Sequence, residues 1–338
     1  MPIVVIDAKI DTEGLERLRA IGDVQVKCIS EVYGNNEEQR VLPAELICDA
    51  EILLCTFPPT NFDEMHDLKL IQVTSSGYQQ LEGLNLVAKG IRACNGLGEF
   101  DVPIAEWTIS MIVNLCRDLR TMIRNQEAGH WDRSARHQSE VRGRTLGIWG
   151  YGGIGRETAR LAKSMGLQVH VLTRRGVQRR DDIYRVPGTG DVEGTLPDRV
   201  FHLKDKDEFL SNLDFLVLSM PLNDANRGIV SHQELRLLPE HAYILNPARG
   251  PLVDEEALLK ALREKWIAGA ALDAHYHYPM PADHPLWRFP NVIMTPHVSG
   301  SGSSTHFASR VWDIFVQNVE KYREGKPLLN ELSPSQLN

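Results

Sequence analysis

The sequence predicts an α/β protein built from two doubly wound parallel-sheet domains. Three observations carry that prediction. Short apolar runs alternate with polar helical stretches through the first hundred residues. A long helical pattern then opens just after Asp101. Beyond it, a glycine-rich turn joins an apolar strand to an amphipathic helix, and a second series of apolar strands follows. Strands that alternate with helical patterns form parallel sheets covered on both faces. At 338 residues, 42% of them hydrophobic and 24% charged, the chain can bury two cores.

In the first domain the candidate strands are 3–6, 24–27, 52–55, 70–73 and 91–93, with a helical stretch at 12–20. Pro103 then starts a helix, because proline suits the first turn, where its missing N–H is not needed. Ile104, Trp107, Met111, Leu115 and Leu119 recur at three- and four-residue steps, the spacing of one helix face. The segment 145–175 reads TLGIWGYGGIGRETARLAKSMGLQVHVLTRR, strand, turn, helix and strand in succession. Further strands are expected at 215–219, 242–246, 270–273 and 292–294, a six-strand domain with room for one more. The polar, Gly- and Pro-bearing stretch 180–206 reads as a surface insertion without an assigned role. The closing helix, about 307–322, is expected to pack back on the first domain and so to split it.

Gly150, Gly152 and Gly155 form a GxGxxG turn between the strand and the helix. In that context one glycine makes the tight turn, one lets backbone approach a pyrophosphate, and one lets helix pack closely on strand. Unpaired N–H groups at the helix start face the phosphates. An acid about 20 residues on normally grips a free ribose 2′-OH. Here that position is Thr173, followed by Arg174 and Arg175. A hydroxyl and two guanidinium groups suit a 2′-phosphate, so NADP(H) is expected over NAD(H). The bland alternative is that Arg174 and Arg175 are a solvated pair, with Arg179 and Arg180 merely extending a polar surface.

Net charge is −8, with no long basic run, which argues against nucleic acid or an anionic membrane as partner. Five cysteines, without CxxC spacing, suit free thiols in a reducing compartment. The opening MPIVVIDAKID reads as a strand followed by acids, not as a secretory signal. A cytoplasmic protein is the expectation.

Ligands of open α/β sheets lie beyond the carboxyl ends of the strands. Polar residues at those ends are Asn246 to Gly250, Asp273 and Thr295-Pro296-His297, with Thr74-Ser75-Ser76-Gly77 in the first domain. Together with SMPLNDANRGIV, NPARGPLVDEEAL, PADHPLW and TPHVSG, these residues give the chain its resemblance to the D-isomer-specific 2-hydroxyacid dehydrogenase family, which includes glyoxylate/hydroxypyruvate reductases. The resemblance spans nearly the whole chain. It implies a Rossmann-type cofactor domain at 103–297 inserted in a flavodoxin-like substrate domain of 1–102 and 298–338. It also implies a homodimer whose contact is formed largely by 105–133. Trp131, in GHWDR on that arm, is a candidate either to reach the partner's pocket or to fill a core or interface position.

By resemblance, Arg249 holds the substrate carboxylate and polarises the keto oxygen, and His297 is the acid/base group. Ser76 and Gly77 match the loop whose N–H groups bind the carboxylate; Gln79 and Gln80 replace the acid and amide usual after it. Gly150, Tyr151, Gly152, Gly153, Ile154, Gly155, Thr173, Arg174, Arg175, Pro221, Asp273 and Gly300 are the implied cofactor contacts, Asp273 near the nicotinamide amide. One position departs from the family: the glutamate that pairs with the histidine is replaced by Tyr278. A carboxylate beside an imidazolium raises its pKa; a neutral phenol can only orient it. Three readings compete: Tyr278 orients His297 by a hydrogen bond, His275 or His277 joins a relay, or the reaction differs. Two histidines alone do not make a metal site, and none is expected. The expected activity is reversible reduction of a 2-keto acid to the D-2-hydroxy acid. The rivals are a formate-like dehydrogenase without proton transfer and a dinucleotide-sensing interaction protein.

Overall fold

The computed structural model describes residues 1–34, 38–134, 139–181 and 183–337. The chain divides into two compact units, Met1–Glu99 with Asp181–Val186 and Gly302–Asn338, and Phe100–Arg180 with Pro187–Ser301.

The first unit is a five-stranded parallel sheet in the order β2-β1-β3-β4-β5, with strands β1 Ile3–Asp7, β2 Gln25–Cys28, β3 Ile52–Cys55, β4 Leu70–Val73 and β5 Arg92–Cys94. That order is the flavodoxin-like doubly wound arrangement. Its helices are α1 Thr12–Ala20, α2 Ser30–Tyr33 and α3 Ala44–Ile47, with α10 and α11 supplied by the end of the chain. Both sheet faces are covered, one by a core around Leu53, Phe62 and Ile71, the other by Leu15 and Leu18 of α1 with Trp312 and Phe315. The latter pair belongs to α10, Thr305–Arg323. Trp312 sits directly over Gly14, whose missing Cβ would fall 2.5 Å from the tryptophan Cβ, so α1 and α10 can touch only because residue 14 has no side chain. Tyr184 is buried in this unit, and its N–H donates to Asn330 Oδ1 at 3.0 Å.

The second unit is a seven-stranded parallel sheet in the order β12-β11-β10-β9-β6-β7-β8. The strands are β6 Thr145–Trp149, β7 Gln168–Leu172, β8 Arg199–Phe201, β9 Phe215–Leu218, β10 Tyr243–Asn246, β11 Gly269–Leu272 and β12 Val292–Met294. The extra strand is β8, three residues at the sheet edge, too short to stand out by periodicity. The order reverses between β6 and β9, and β6 is the strand that runs into the glycine turn. This is the switch point at which doubly wound sheets take their ligands. The helices here are α4 Asp101–Cys116, α5 Leu119–Glu127, α6 Gly153–Ser164, α7 Lys206–Leu210, α8 His232–Leu237 and α9 Glu255–Arg263; α11, Pro334–Leu337, ends the chain in the first unit.

The single long helix expected after Pro103 is two helices. Asp118 takes a left-handed conformation (φ 45°) between them, which aspartate tolerates better than most residues. Leu119 therefore starts α5, stands 36% exposed, and is not part of the buried stripe. The buried face of α4 is also rotated from the expected one: Ala105, Thr108, Met111, Ile112 and Leu115 are buried, whereas Ile104 and Trp107 are only half-buried. The cause is close packing on α6, where small Ala105 and Thr108 let the helices approach and Gly153 makes room for the Asp101 carboxylate.

Candidate active site

The glycine turn is forced by contact. Gly150 has φ 99°, and a Cβ there would lie 2.5 Å from the Ser219 carbonyl oxygen. A Cβ on Gly155 would meet the Gly150 carbonyl at the same distance. Gly152 is the N-cap of α6 and offers no side-chain bond to the first-turn N–H groups. Those groups, in Gly153, Ile154 and Gly155, are the donors a helix start presents to an anion. The residues present thus fit a bound dinucleotide: a helix start without a side-chain cap from its N-cap residue, and no side chain at 152 to fill the place of the phosphates.

At the end of β7, the Thr173 N–H donates to the Phe201 carbonyl at 3.1 Å, and Arg174 and Arg175 are exposed. Pro221 is exposed just past β9, its carbonyl accepting from Asn226. Gly300 lies against the Phe100 ring.

Asn246 closes the turn after β10, its amide donating to the Arg249 carbonyl at 2.8 Å and its oxygen accepting from Ala248 N–H at 3.1 Å. That turn leaves Arg249 exposed. After β12, His297 adopts φ 59°, with its N–H on the Thr295 carbonyl at 3.0 Å. A non-glycine residue in this region carries strain that the surroundings must hold. What holds it is Asp273, fully buried at the end of β11. Its Oδ1 accepts from the Thr295 hydroxyl at 2.5 Å and from Val298 N–H at 2.9 Å, and its Oδ2 from Ser299 N–H at 2.9 Å. Trp107 of α4 donates to the same Thr295 hydroxyl at 3.1 Å. The geometry thus makes Asp273 the residue that fixes the histidine loop, a role its place in the sequence did not suggest. In the sequence Thr295 stands out only as a polar residue at a strand end, without a role, and nothing in the helix pattern singles out Trp107 for the site.

Burial of its imidazole, though the residue is exposed by area, is the largest influence on His297 and lowers its pKa below the ordinary histidine value. Asp273 opposes that shift, and the positive charges of Arg249 and His275 add to it. Arg249 and His297 are therefore electrostatic neighbours at strand ends of one sheet.

Tyr278 is 58% exposed and lies beside His297, ring centroids 5.5 Å apart and tilted by 49°. Its hydroxyl oxygen accepts the His275 N–H at 3.0 Å. The phenol touches the histidine by ring packing rather than through the hydrogen bond expected of it. His275 is buried, with Nε2 2.7 Å from the Thr295 carbonyl, a contact that requires the proton on Nε2. His277 points elsewhere. With Glu255 and His284 it brings three ligand-type atoms within 4.8 Å of one another. His284 Nδ1 accepts from Leu286 N–H at 3.3 Å, so its proton sits on Nε2 and bonds Glu255 at 2.7 Å. That tautomer presents a proton where a metal would need a lone pair.

In the other unit, Ser76 and Gly77 follow β4. The Ser76 hydroxyl donates to Glu99 Oε1 at 3.2 Å, and the Ser76 carbonyl accepts from Asn95 at 2.7 Å. Gln80 donates to Ser75 Oγ at 2.8 Å and to the Thr56 carbonyl at 3.2 Å, so an amide ties the base of this loop.

A seven-stranded sheet with a glycine turn at its switch point, and an arginine and a histidine at its strand ends, define a dinucleotide-dependent oxidoreductase. Comparison with known proteins places it further. Residues 109–299 match the family model described as D-isomer specific 2-hydroxyacid dehydrogenase, NAD binding domain. The glyoxylate reductase of Thermofilum pendens is 30% identical over 308 residues, covering 89% of this chain and 86% of that one. The hydroxypyruvate reductase of Blautia hydrogenotrophica is 27% identical, covering 97% and 98%. A crystal structure of a D-isomer specific 2-hydroxyacid dehydrogenase from Xanthobacter autotrophicus, in complex with NADPH and MES, aligns with TM-score 0.71 at 24% identity, covering 100% and 99%; at that identity it supports the fold alone. The chain belongs to the D-isomer specific 2-hydroxyacid dehydrogenase family, and it is an oxidoreductase of 2-hydroxy acids that uses a nicotinamide dinucleotide.

Proposed function

We propose that the protein reduces a 2-keto acid to the D-2-hydroxy acid, with NADPH as the preferred reductant. The observation that carries this reading is that Arg249 follows β10 and His297 follows β12 in one parallel sheet, separated only by β11, with the guanidinium charge acting on the imidazole. A planar guanidinium matches the adjacent carboxylate and keto oxygens of a 2-keto acid. Held this way, the keto oxygen gathers negative charge under a fixed positive one as the carbonyl is reduced. Protonated His297 gives that oxygen its proton, as general acid. The bound reduced nicotinamide supplies the hydride. In the reverse direction neutral His297 takes the proton back.

Within this reading Gly150 to Gly155 hold the pyrophosphate, and Thr173, Arg174 and Arg175 take the 2′-phosphate. Ser76 and Gly77 offer backbone N–H groups to the carboxylate. Support for NADPH is the pair of exposed arginines where an acid would grip a ribose hydroxyl. A homodimer is part of the proposal. Its support is α5, which buries none of its residues and leaves Leu119 and Ile123 exposed, with Trp131 86% exposed beyond it.

The test is an absorbance assay of nicotinamide oxidation with NADPH and with NADH, against glyoxylate, hydroxypyruvate, pyruvate and aryl keto acids, and of reduction with formate. Turnover of keto acids that fails in the Arg249→Ala and His297→Asn variants is the expected result. Formate oxidation without keto acid turnover, or tight cofactor binding with no turnover at all, overturns it.

A further inference from the structure

His275 stands just beyond β11, buried, and touches both loops that carry the reacting side chains. Its backbone meets the Arg249 turn: a Cβ on Gly250 would run into the His275 carbonyl, so the two backbones come this close only because residue 250 has no side chain. Its imidazole meets the His297 loop, with Nε2 donating to the Thr295 carbonyl at 2.7 Å. Its N–H donates to the Tyr278 hydroxyl at 3.0 Å, and the Tyr278 ring packs on His297. One residue thus borders the arginine turn, the histidine loop and the ring that flanks the histidine.

The Thr295 carbonyl is a sensitive place to hold. It also accepts the His297 N–H at 3.0 Å, which closes the three-residue turn Thr295-Pro296-His297. So small a turn keeps its hydrogen bond bent, and bent bonds are weak. His297 leaves it in the left-handed region, at φ 59°, a conformation that the surroundings must impose. The Thr295 hydroxyl is fixed by Asp273 and Trp107. The direction of the carbonyl is a separate freedom, because the whole peptide plane to Pro296 turns with it. Among the described residues, His275 is the side chain that holds this carbonyl. The bond is also the only one the ring makes, since Nδ1 is buried with no partner among the described residues. Its acceptor is a peptide oxygen, which passes no proton onward, so the ring orients its neighbour and relays nothing.

Resting on the functional reading above, we infer that His275 is a positioning residue for the reaction: it ties the turn of Arg249 to the loop of His297 and so fixes where the bound keto acid stands relative to its proton donor. The test compares the natural protein with three variants. His275→Phe keeps the bulk of the ring without a donor, and the amide of His275→Asn is too short to reach Thr295. The amide nitrogen of His275→Gln stands about as far from the backbone as Nε2 does and can donate in its place. The kcat of keto acid reduction is read on the low-pH plateau, where His297 is fully protonated and a shifted titration cannot imitate misplacement. NADPH dissociation constants, a thermal melt and a crystal structure of each variant accompany it. Lost alignment should lower kcat on the order of tenfold in His275→Phe and His275→Asn, with cofactor binding unchanged. His275→Gln should recover most of that loss, and His297 should leave its left-handed conformation in the first two variants alone. Either an unchanged kcat or an unmoved His297 in those two overturns the inference, whether or not the melting temperature falls. A His275→Gln variant as slow as they are overturns it equally. A natural protein that turns over no keto acid overturns the functional reading instead, and the crystal structures then decide whether His275 holds His297 in place.

Discussion

The phenol ring of Tyr278 packs on the imidazole of His297 at 5.5 Å while its oxygen is held by the His275 N–H at 3.0 Å. A tyrosine so placed fixes the imidazole plane and brings no charge to it. The groups that face His297 are then Asp273, which raises its pKa, and Arg249 and His275, which with burial lower it. Reduction needs the protonated ring, so the reductive kcat/KM is expected to fall as pH rises through a value below about 6.5, the ordinary histidine pKa. Oxidation of the hydroxy acid should rise through the same value. A reductive limb above that point would contradict the assignment.

Changing Tyr278 to Glu places a carboxylate against the ring. The reductive limb should move up by about one pH unit or more. Tyr278→Phe should leave the limb where it is and lower kcat, because the His275 N–H loses its acceptor. Full pH profiles of both variants distinguish charge from orientation.

Asp273→Asn replaces an acceptor of three hydrogen bonds by an amide that must turn a donor toward at least one of them. A buried mismatch of this kind costs about 1–3 kcal/mol, read as a lower denaturant midpoint. Because Asp273 raises the His297 pKa, its neutralisation should also move the reductive limb to lower pH. A stable variant with an unmoved limb would separate Asp273 from the histidine loop.

Arg249→Lys keeps the charge and loses the planar fork. Its kcat/KM for a 2-keto acid should fall roughly a hundredfold, or about 2.7 kcal/mol, with cofactor dissociation constants unchanged. A fall confined to the cofactor constants would place Arg249 in the cofactor site.

Removing Arg174 and Arg175 together should raise the KM for NADPH and leave that for NADH nearly unaltered, narrowing the preference between them. Parallel changes for both cofactors would remove these residues from 2′-phosphate recognition.

Much of this was legible in the linear chain. The strands β3 and β4 stand where the sequence pattern placed them, because strands buried on both faces are nearly continuous apolar runs, with buried Gln72 the polar residue of β4. Gly150 and Gly155 were identifiable because only glycine survives a carbonyl at 2.5 Å. The break at Asp118 was not legible, since the apolar spacing continues across it while a single left-handed residue redirects the chain. Neither was β8, whose three residues pair only because β7 offers an open edge.

The order of residues alone was enough for the class of fold, the cofactor turn and the identity of the candidate reacting side chains, because these depend on local periodicity, backbone freedom and functional-group chemistry. Folding in three dimensions was needed to bring Asp273 and Trp107 together on Thr295, to set Tyr278 against His297 through its ring, and to lock the insertion to Tyr151 through Asp191. Those pairings join residues up to 188 positions apart. Which of many possible partners a buried polar group takes is set by how the strands and helices pack, and no local pattern records it.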